Sequence, residues 1–488
     1  MAEQQRPVHR GSVDYEQVGS DYLQKRELRG GAAGWVLLAG LGVAYVISGD
    51  FAGWNFGLAE GGWGGLLVAT ILMATMYTCM VLALAELSST ISTAGGGYGF
   101  GRRALGPLGG FLTGTAILIE YVLAPAAIVT FIGAYVESLD IFGITAGWPV
   151  YLAFYAVFVG IHLLGVGEAL KVTFAITAIA VVALIVFVVG MIPEFSTSNL
   201  TDIEPSDAAG ASDFLPEGWA GIWAAFPYAI WFFLAIEGVP LAAEETRNPK
   251  RDMPRGLIAG MMVLLLFATL MLFIAPGGAG SSTIAASGNP LPEALDAAKG
   301  DGSGLSDFVN WVGLFGLIAS FFSIIFAYSR QLFALSRAGY FPRALSVTSG
   351  RKVPWIALVL PALVGFLLAA FWEEQGARIL NIAVFGAAVS YVLMMLSHIV
   401  LRSREPDLER GYLTPGGTKT SGVALVLAVL AVVATFLVDT TAAFITLGVY
   451  AAAALYFGFY SRHHLVGAAP EEEFAAVESA EAELAGSH

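Results

Sequence analysis

Long apolar segments recur along the whole chain, and this feature restricts the fold more than any other. Each is about 20 residues long, the length at which a helix crosses a bilayer. Lipid offers the backbone no hydrogen bonds, so such segments must be helical. The sequence therefore predicts an all-α polytopic membrane protein. We number its twelve predicted spans in order, near residues 34–58, 64–86, 108–136, 148–165, 170–192, 219–240, 256–276, 308–336, 354–371, 379–400, 421–438 and 442–460.

The basic residues give the orientation, because cytoplasmic loops are enriched in Lys and Arg. Of the 24 Lys and Arg residues, 22 lie in the terminal regions or beside loops that follow even-numbered spans. The opposite face has only Lys299 and Arg378. Both termini are therefore expected in the cytoplasm. We expect a cytoplasmic N-terminal tail at 1–30, a twelve-helix domain at 31–462 and an acidic, solvated cytoplasmic C-terminal tail at 463–488.

Several function classes are disfavoured by composition and motifs. Hydrophobic residues make up 57% of the chain and charged residues 13%, whereas soluble domains have about 25% charged residues. The net charge of −14 argues against nucleic-acid binding. Cys79 is the single cysteine, so no disulfide framework is expected. Enzyme and nucleotide-binding motifs are missing, no cofactor is expected, and His162 and His398 are interpreted as packing residues.

Two spans are interrupted by residues that break helices. Span 1 contains SGDFAG, from Ser48 to Gly53, and span 6 contains Glu237, Gly238 and Pro240. The interruptions are five spans apart, as in inverted-repeat transporters, where matched breaks indicate the binding site. We therefore predict a 5+5 inverted repeat, 31–192 and 219–400, followed by two helices within 421–460. The alternative is that Gly and Pro only kink these helices.

Three further segments resemble the amino acid–polyamine–organocation superfamily of permeases. They are AELSSTISTAGGGYGFGRRALGPLGGFLTG (Ala85 to Gly114), AAEETRNPKRDMPRG (Ala242 to Gly256) and AYSRQLFALSRAGYFP (Ala327 to Pro342). Within that superfamily, VISGDFAGWNFGL and TAGGGYGFGRRALGP are most similar to the ethanolamine permeases. The resemblance implies a leucine-transporter-type fold with broken helices 1 and 6. It also implies secondary active transport, coupled to protons or sodium.

Asp50 is the residue that distinguishes this chain within the resemblance. An aspartate at the centre of a span costs about 2.5–3.5 kcal/mol on insertion scales. Permeases of the superfamily that carry amino acids usually have an apolar residue here, and their freed amides hold the substrate carboxylate. We therefore hypothesise that Asp50 replaces that carboxylate and faces the ammonium of an amine without an acid. The alternative is that Asp50 caps the second half-helix.

Two other acids lie inside spans, where ionisable residues are functional candidates. Glu237 aligns with an acid common in the superfamily and is a candidate proton carrier, gate or substrate contact, or else a structural acid. Glu120 in TAILIEYVLAP is a candidate for coupling or gating on a cation pathway, or else a hydrogen-bond partner of the interrupted backbone. The only base within a span is Arg330, near the end of span 8. Three acids without a central base favour cations.

The remaining candidates surround the two breaks. We predict that Ser48, Gly49, Phe51, Asn55, Phe233 and Ile236 join Asp50 and Glu237 in binding substrate, with the ammonium over an aromatic face and the hydroxyl on Asn55. Ser320 and Ser323 on span 8 are candidates for a sodium site, or are packing residues. Span 5 has small or apolar residues where some proton-coupled relatives have a lysine, and Lys171 is interpreted as an interfacial anchor.

The sequence thus predicts an importer of ethanolamine in the cytoplasmic (inner) membrane, working by alternating access with an ion and without a nucleotide. A cationic amino-acid or polyamine permease of the same fold is the nearest alternative. A passive organic-cation channel and a membrane sensor are the alternatives from other classes.

Overall fold

The structure is a computed structural model that describes residues 8–10, 12–18, 21–28, 31, 33–140, 143–300, 304–372 and 376–472, with only the backbone at 8, 10 and 166–170. Most of these residues are helical. The long helices are Phe56–Thr90, Gly97–Ser138, Val166–Met191, Pro249–Ala279, Gly304–Arg337, Gly376–Arg404, Thr418–Val438 and Thr440–Phe459. Shorter apolar helices are Trp35–Val46, Ser48–Phe51, Trp148–Leu164, Gly218–Ala224, Phe226–Trp231 and Trp355–Phe371, with a 3₁₀ helix at Ile236–Glu245.

Loops between the spans and the two terminal regions contain short helical turns. These are the α-helices Asp21–Gln24, Ser281–Ile284 and Pro290–Lys299 and the 3₁₀ helices Ile192–Glu194, Thr197–Thr201, Arg343–Ser346 and Ser461–His463. Residues 193–218 and 277–306 thus include several such turns between apolar segments, in keeping with their content of Ser, Gly, Pro and Asp.

Within the described chain, nine helical segments are long and apolar enough to cross a membrane. Three shorter apolar helices, Trp35–Val46, Trp148–Leu164 and Trp355–Phe371, coincide with predicted spans 1, 4 and 9. The prediction of a helical protein with many membrane segments is confirmed. The count of twelve spans and the inverted repeat stay predictions.

Gly62 ends span 1 and begins span 2. Its φ of +65° is a left-handed conformation that a residue with a Cβ rarely adopts. The continuous helix Phe56–Thr90 therefore has a sharp internal bend at this glycine. The six residues before Gly62 form the second half-helix of the interrupted span 1.

Burial separates inner spans from outer ones. The most apolar windows of Gly97–Ser138 and Gly376–Arg404, which are spans 3 and 10, are each 78% buried within the protein. The corresponding window of Thr440–His463 is only 22% buried. Spans 3, 6, 8 and 10 therefore enclose the centre of the molecule, and spans 11 and 12 lie at its periphery, in line with their prediction as additions to the repeats.

The two terminal regions form one small sheet. Strand β1 (Val8–Arg10) pairs antiparallel with β2 (Val13–Glu16), and β2 pairs parallel with β3 (Leu465–Val466). The chain after β3 then enters the helical domain, where Glu471 and Glu472 are buried. Our prediction of a solvated acidic tail is therefore wrong at these two residues, and 473–488 lie outside the described residues.

Arginines from distant helices explain this burial. Glu472 forms an ion pair with Arg102 at 2.5 Å and accepts a hydrogen bond from Tyr340 at 3.0 Å. Glu471 forms an ion pair with Arg337 at 2.5 Å. A buried carboxylate needs such a partner to offset its desolvation, and these partners lie more than a hundred residues away in the sequence.

Candidate functional site

The interruption of span 1 occupies the residues between two helical segments. Helix Trp35–Val46 is followed by the short helix Ser48–Phe51, by extended Ala52 and by Gly53, whose φ is +95°. The amide of Ser48 donates a hydrogen bond to Ser320 Oγ of span 8 at 2.9 Å. The predicted break in span 1 is therefore present and rests against span 8.

The interruption of span 6 begins before the residues that we predicted. Helix Phe226–Trp231 ends at Phe232, and Ala235 has a φ of +79°, an unfavourable conformation for a residue other than glycine. Gly238 and Pro240 lie in the following 3₁₀ helix, Ile236–Glu245. Phe232 at the start of this break stacks on Trp54 of span 1, with ring centroids 5.3 Å apart.

The two interruptions contact each other directly. A Cβ on Gly49 would lie 2.5 Å from the carbonyl oxygen of Trp231, so only glycine permits this approach of the two backbones. The indole Nε1 of Trp231 donates a hydrogen bond to the carbonyl of Ala52 at 3.0 Å. The structure thus brings together Ser48, Gly49, Asp50 and Phe51 of span 1 with the break of span 6.

Asp50 lies at this crossing and is only 1% exposed. Neither carboxylate oxygen has a hydrogen-bond partner among the described residues. The alternative interpretation as a helix cap is not supported, because a capping carboxylate would accept from backbone amides. An unsatisfied acid at a helix break is a marker of function.

Glu237 and Glu120 form a second acidic group. Both are buried, and they lie close enough to interact with each other. Tyr121 donates a hydrogen bond to Glu237 Oε1 at 2.9 Å, whereas Glu237 Oε2 and both oxygens of Glu120 have no partner among the described residues. We call Asp50, Glu120 and Glu237 the central acids.

The other buried acids in the described chain contrast with the central acids, since each is paired with arginine. Glu245 accepts from Arg330 at 3.0 Å, and Glu86 lies 2.6 Å from Arg402 and 3.0 Å from Arg410. Because Arg330 is bound to Glu245, it does not neutralise the central acids. We call these residues the arginine-paired acids: Glu86, Glu245, Glu471 and Glu472.

Two tyrosines that the sequence analysis missed complete the surroundings of Glu237. Tyr77 donates a hydrogen bond to the hydroxyl of Tyr391 at 2.9 Å, and both are within electrostatic reach of Glu120 and Glu237. Buried phenols usually need a polar partner. That rule could have marked tyrosines at the centre of spans 2 and 10, but not their association.

The predicted aromatic contacts lie in different places. Phe233 packs on Tyr77, with ring centroids 5.3 Å apart, and so borders the Glu237 group. Phe51 instead packs against span 8, where a Cβ on Gly316 would lie 2.1 Å from its ring. Ile236 packs towards spans 1 and 7, at Gly42 and Gly260. Binding of substrate by these three residues stays a prediction.

Asn55 is engaged by the protein at both ends of its amide. Its Oδ1 accepts from the amide of Gly53 at 3.0 Å. Its Nδ2 donates to the carbonyls of Ile284 and Ser287 at 2.7 and 2.9 Å. This conformation connects the span 1 break to the segment after span 7, and binding of a substrate hydroxyl by Asn55 stays a prediction.

The candidate sodium ligands also have protein partners. Ser320 Oγ donates to the carbonyl of Ala44 at 2.7 Å, and Ser323 Oγ donates to the carbonyl of Ala319 at 2.6 Å. The first bond connects span 8 to span 1 at the place where we predicted a cation, whereas the second lies within span 8. The described residues include no group of three or more His, Cys, Asp or Glu side chains arranged to hold a metal ion.

Comparison with known proteins places this geometry in a family. The family model described as "Amino acid permease" matches residues 35–470. An uncharacterized transporter of Rhizobium meliloti is 30% identical over 449 residues, covering 90% of this chain and 93% of its own length. A branched-chain amino acid permease of Bacillus subtilis is 27% identical, covering 82% and 86%. A methylthioribose transporter of the same organism is 23% identical, covering 76% and 79%.

Proposed function

Because the chain belongs to the amino acid permease family, we propose that it is a secondary active transporter that imports a small amine without a carboxylate, with ethanolamine as the substrate. We further propose twelve membrane spans, a 5+5 repeat with two added helices, both termini in the cytoplasm and residence in the cytoplasmic (inner) membrane. Spans 1, 2, 6 and 7 rock against the others in alternating access.

One observation carries the proposed substrate class. Asp50 is a buried carboxylate without a partner at the crossing of the two helix breaks. Half-helix ends and freed amides at such a break suit the carboxylate of an amino acid. A fixed carboxylate in this place repels that group and attracts an ammonium. One charge-assisted contact of this kind contributes about 1.5–3 kcal/mol.

The set of substrate-binding residues that we propose follows from the contacts described above. Asp50 binds the ammonium, and the backbone of Ser48 and Gly49 shapes the space beside it. Phe233 supplies an aromatic face from span 6, worth about 0.5–2 kcal/mol to a cation. Entry requires a conformational change, since Asp50 is almost completely buried.

We assign the coupling of transport to an ion to the second acidic group, Glu120 and Glu237. Two adjacent carboxyls without a base are suited to share one proton, and they titrate as a pair. The hydroxyl of Tyr121 on Glu237 orients one member of this pair. We propose that Glu120 and Glu237 carry the coupling proton. Sodium coupling through Ser320 and Ser323 is the alternative, in which lone pairs of the two hydroxyl oxygens face the ion while their hydrogens are donated to the carbonyls of Ala44 and Ala319.

The relatives suggest a second candidate substrate. One of them is named a branched-chain amino acid permease, so a zwitterionic amino acid is an alternative to ethanolamine. Lysine and polyamines are alternatives that retain the need for a cation. The position of Asp50 disfavours the zwitterion and does not by itself separate ethanolamine from putrescine.

Uptake of labelled ethanolamine into proteoliposomes tests the proposal. Unlabelled ethanolamine, putrescine, lysine and leucine compete in separate assays, with pH and sodium gradients imposed independently. We expect inhibition by ethanolamine, weak inhibition by leucine and accumulation against the ethanolamine gradient. Strong inhibition by leucine alone would favour the amino acid alternative. Equilibration without accumulation under any gradient would indicate a passive channel.

A further inference from the structure

A groove of about 610 Å³ lies outside the central site, between the starts of spans 1 and 7 and the loop after span 10. Its walls combine one base, two aromatic residues and several apolar side chains. They are Trp35, Pro254, Arg255, Ile258, Ala259 and Tyr412. The proposed topology puts this groove at the cytoplasmic surface of the membrane.

The base in this groove has no partner in the described part of the protein. Arg255 is exposed, and no ion pair or hydrogen bond engages its guanidinium. Nearby Lys250, by contrast, pairs with Glu409 at 2.8 Å. Arg251 lies one helical turn before Arg255 on the same face of span 7 and is also unpaired. One acid, Asp252, lies in the same turn. Because the two arginines outnumber it, the face is positively charged.

An apolar strip continues from the groove along span 7. Ile258 and Ala259 follow Arg255, and Met262 and Leu266 lie farther along the same face, 63% and 56% exposed. From Arg255 to Leu266 the helix advances about 16 Å at 1.5 Å per residue. Half of the hydrocarbon thickness of a bilayer is about 15 Å, so the strip matches the depth of one leaflet.

We infer that this groove binds an anionic phospholipid of the cytoplasmic leaflet. The phosphate lies on Arg255, with Arg251 beside it, and one acyl chain follows Met262 and Leu266. Trp35 and Tyr412 sit at the level of the headgroup, where aromatic residues are favoured. Basic pockets between helices on this side of a membrane are suited to acidic headgroups.

A lipid in this groove would touch two spans that we propose to move during transport. Spans 1 and 7 contact each other closely beside it: a Cβ on Gly256 would lie 2.6 Å from Leu38, and one on Gly260 would lie 3.3 Å from the carbonyl of Ala39. A lipid between Trp35 and Arg255 therefore contacts both helices. We place it against the first half-helix of span 1, which leads to the break at Asp50.

Native mass spectrometry of the full-length protein tests this inference without any transport assay. The protein is reconstituted in phosphatidylcholine with and without phosphatidylglycerol, and retained lipids are identified after extraction. Arg255→Gln is compared with Lys419→Gln, which removes another exposed base near a predicted membrane surface. We expect selective retention of phosphatidylglycerol, about fivefold weaker in Arg255→Gln and unchanged in Lys419→Gln.

Three outcomes would overturn the inference. Equal retention by the two variants would remove Arg255 from the site. Equal retention of phosphatidylcholine would show an apolar groove without headgroup selection. Displacement of the lipid by inorganic phosphate alone would indicate a soluble-anion site. Thermal unfolding of both variants verifies that each is folded, so a loss of lipid cannot be attributed to misfolding.

Discussion

The arginine-paired acids and the central acids differ in surroundings although both groups are buried. Glu245 and Glu472 each have an arginine within 3.0 Å, whereas Asp50 has no polar partner in the described chain. The arginine-paired acids connect helix ends to one another and to the C-terminal segment. The central acids lie where the breaks of spans 1 and 6 cross and where spans 3 and 6 meet.

This difference separates structural from functional burial. A buried ion pair becomes costly when one partner is removed, because the remaining charge is left uncompensated. An acid without a partner already bears that cost, so neutralising it should not weaken the fold. Under the proposed function, such an acid binds a cation or a proton during transport.

The largest expected effect is on stability, at the paired acids. Arg330→Met leaves Glu245 as an unpaired buried acid and should cost about 3–5 kcal/mol. The double variant Arg330→Met with Glu245→Gln should recover most of this loss. Thermal unfolding in detergent measures both, with Glu120→Gln as the matched central variant, expected to be as stable as the unmodified protein or more so. A large loss of stability in Glu120→Gln would contradict the proposed difference between the arginine-paired acids and the central acids.

The next effect concerns the crossing itself. Gly49→Ala inserts a methyl group 2.5 Å from the carbonyl of Trp231 and should cost about 1–3 kcal/mol by overpacking. It should also slow uptake, because the methyl group disturbs the contact between two breaks that we expect to move relative to each other during alternating access. Gly448→Ala, where a Cβ meets nothing within 4 Å, is the control and should change neither. Unchanged stability and uptake in Gly49→Ala would mean that the breaks do not need this contact.

A smaller and more selective effect is expected at Glu237. Glu237→Gln keeps the shape and the bond from Tyr121 but removes the ionisable group. We expect exchange of substrate to continue while accumulation driven by a pH gradient disappears. Asp213→Asn on an exposed loop is the control. Full pH-driven accumulation in Glu237→Gln would remove this residue from coupling and leave the sodium alternative.

The sequence predicted the spans and the break at Asp50 because both signals are local. An apolar run of bilayer length and an acid between two glycines can be read without knowing the neighbours. The break of span 6 was placed too late because Phe232 and Ala235, where it begins, are not helix-breaking residues, and the stacking of Phe232 on Trp54 joins distant segments. No local pattern announces that contact.

Other contacts could not be predicted for the same reason. An acidic tail is normally solvated, and burial of Glu472 and Glu471 depends on Arg102, Arg337 and Tyr340, which folding brings to the tail from distant positions. Asn55 looked free to bind a hydroxyl because its partners, the carbonyls of Ile284 and Ser287, belong to the segment after span 7, more than 200 residues later in the chain. Local sequence thus located the helices and acids, and tertiary contacts decided which were satisfied.

The affinity of Asp50→Asn for ethanolamine, measured by calorimetry beside its unfolding temperature, tests the central claim most directly. We expect an unchanged or higher unfolding temperature, because no partner is lost. We also expect that binding weakens by about 1.5–3 kcal/mol, the contribution of a charge-assisted contact, which is about 10- to 150-fold. Unchanged affinity in a folded variant would contradict the assignment of Asp50 to the substrate ammonium.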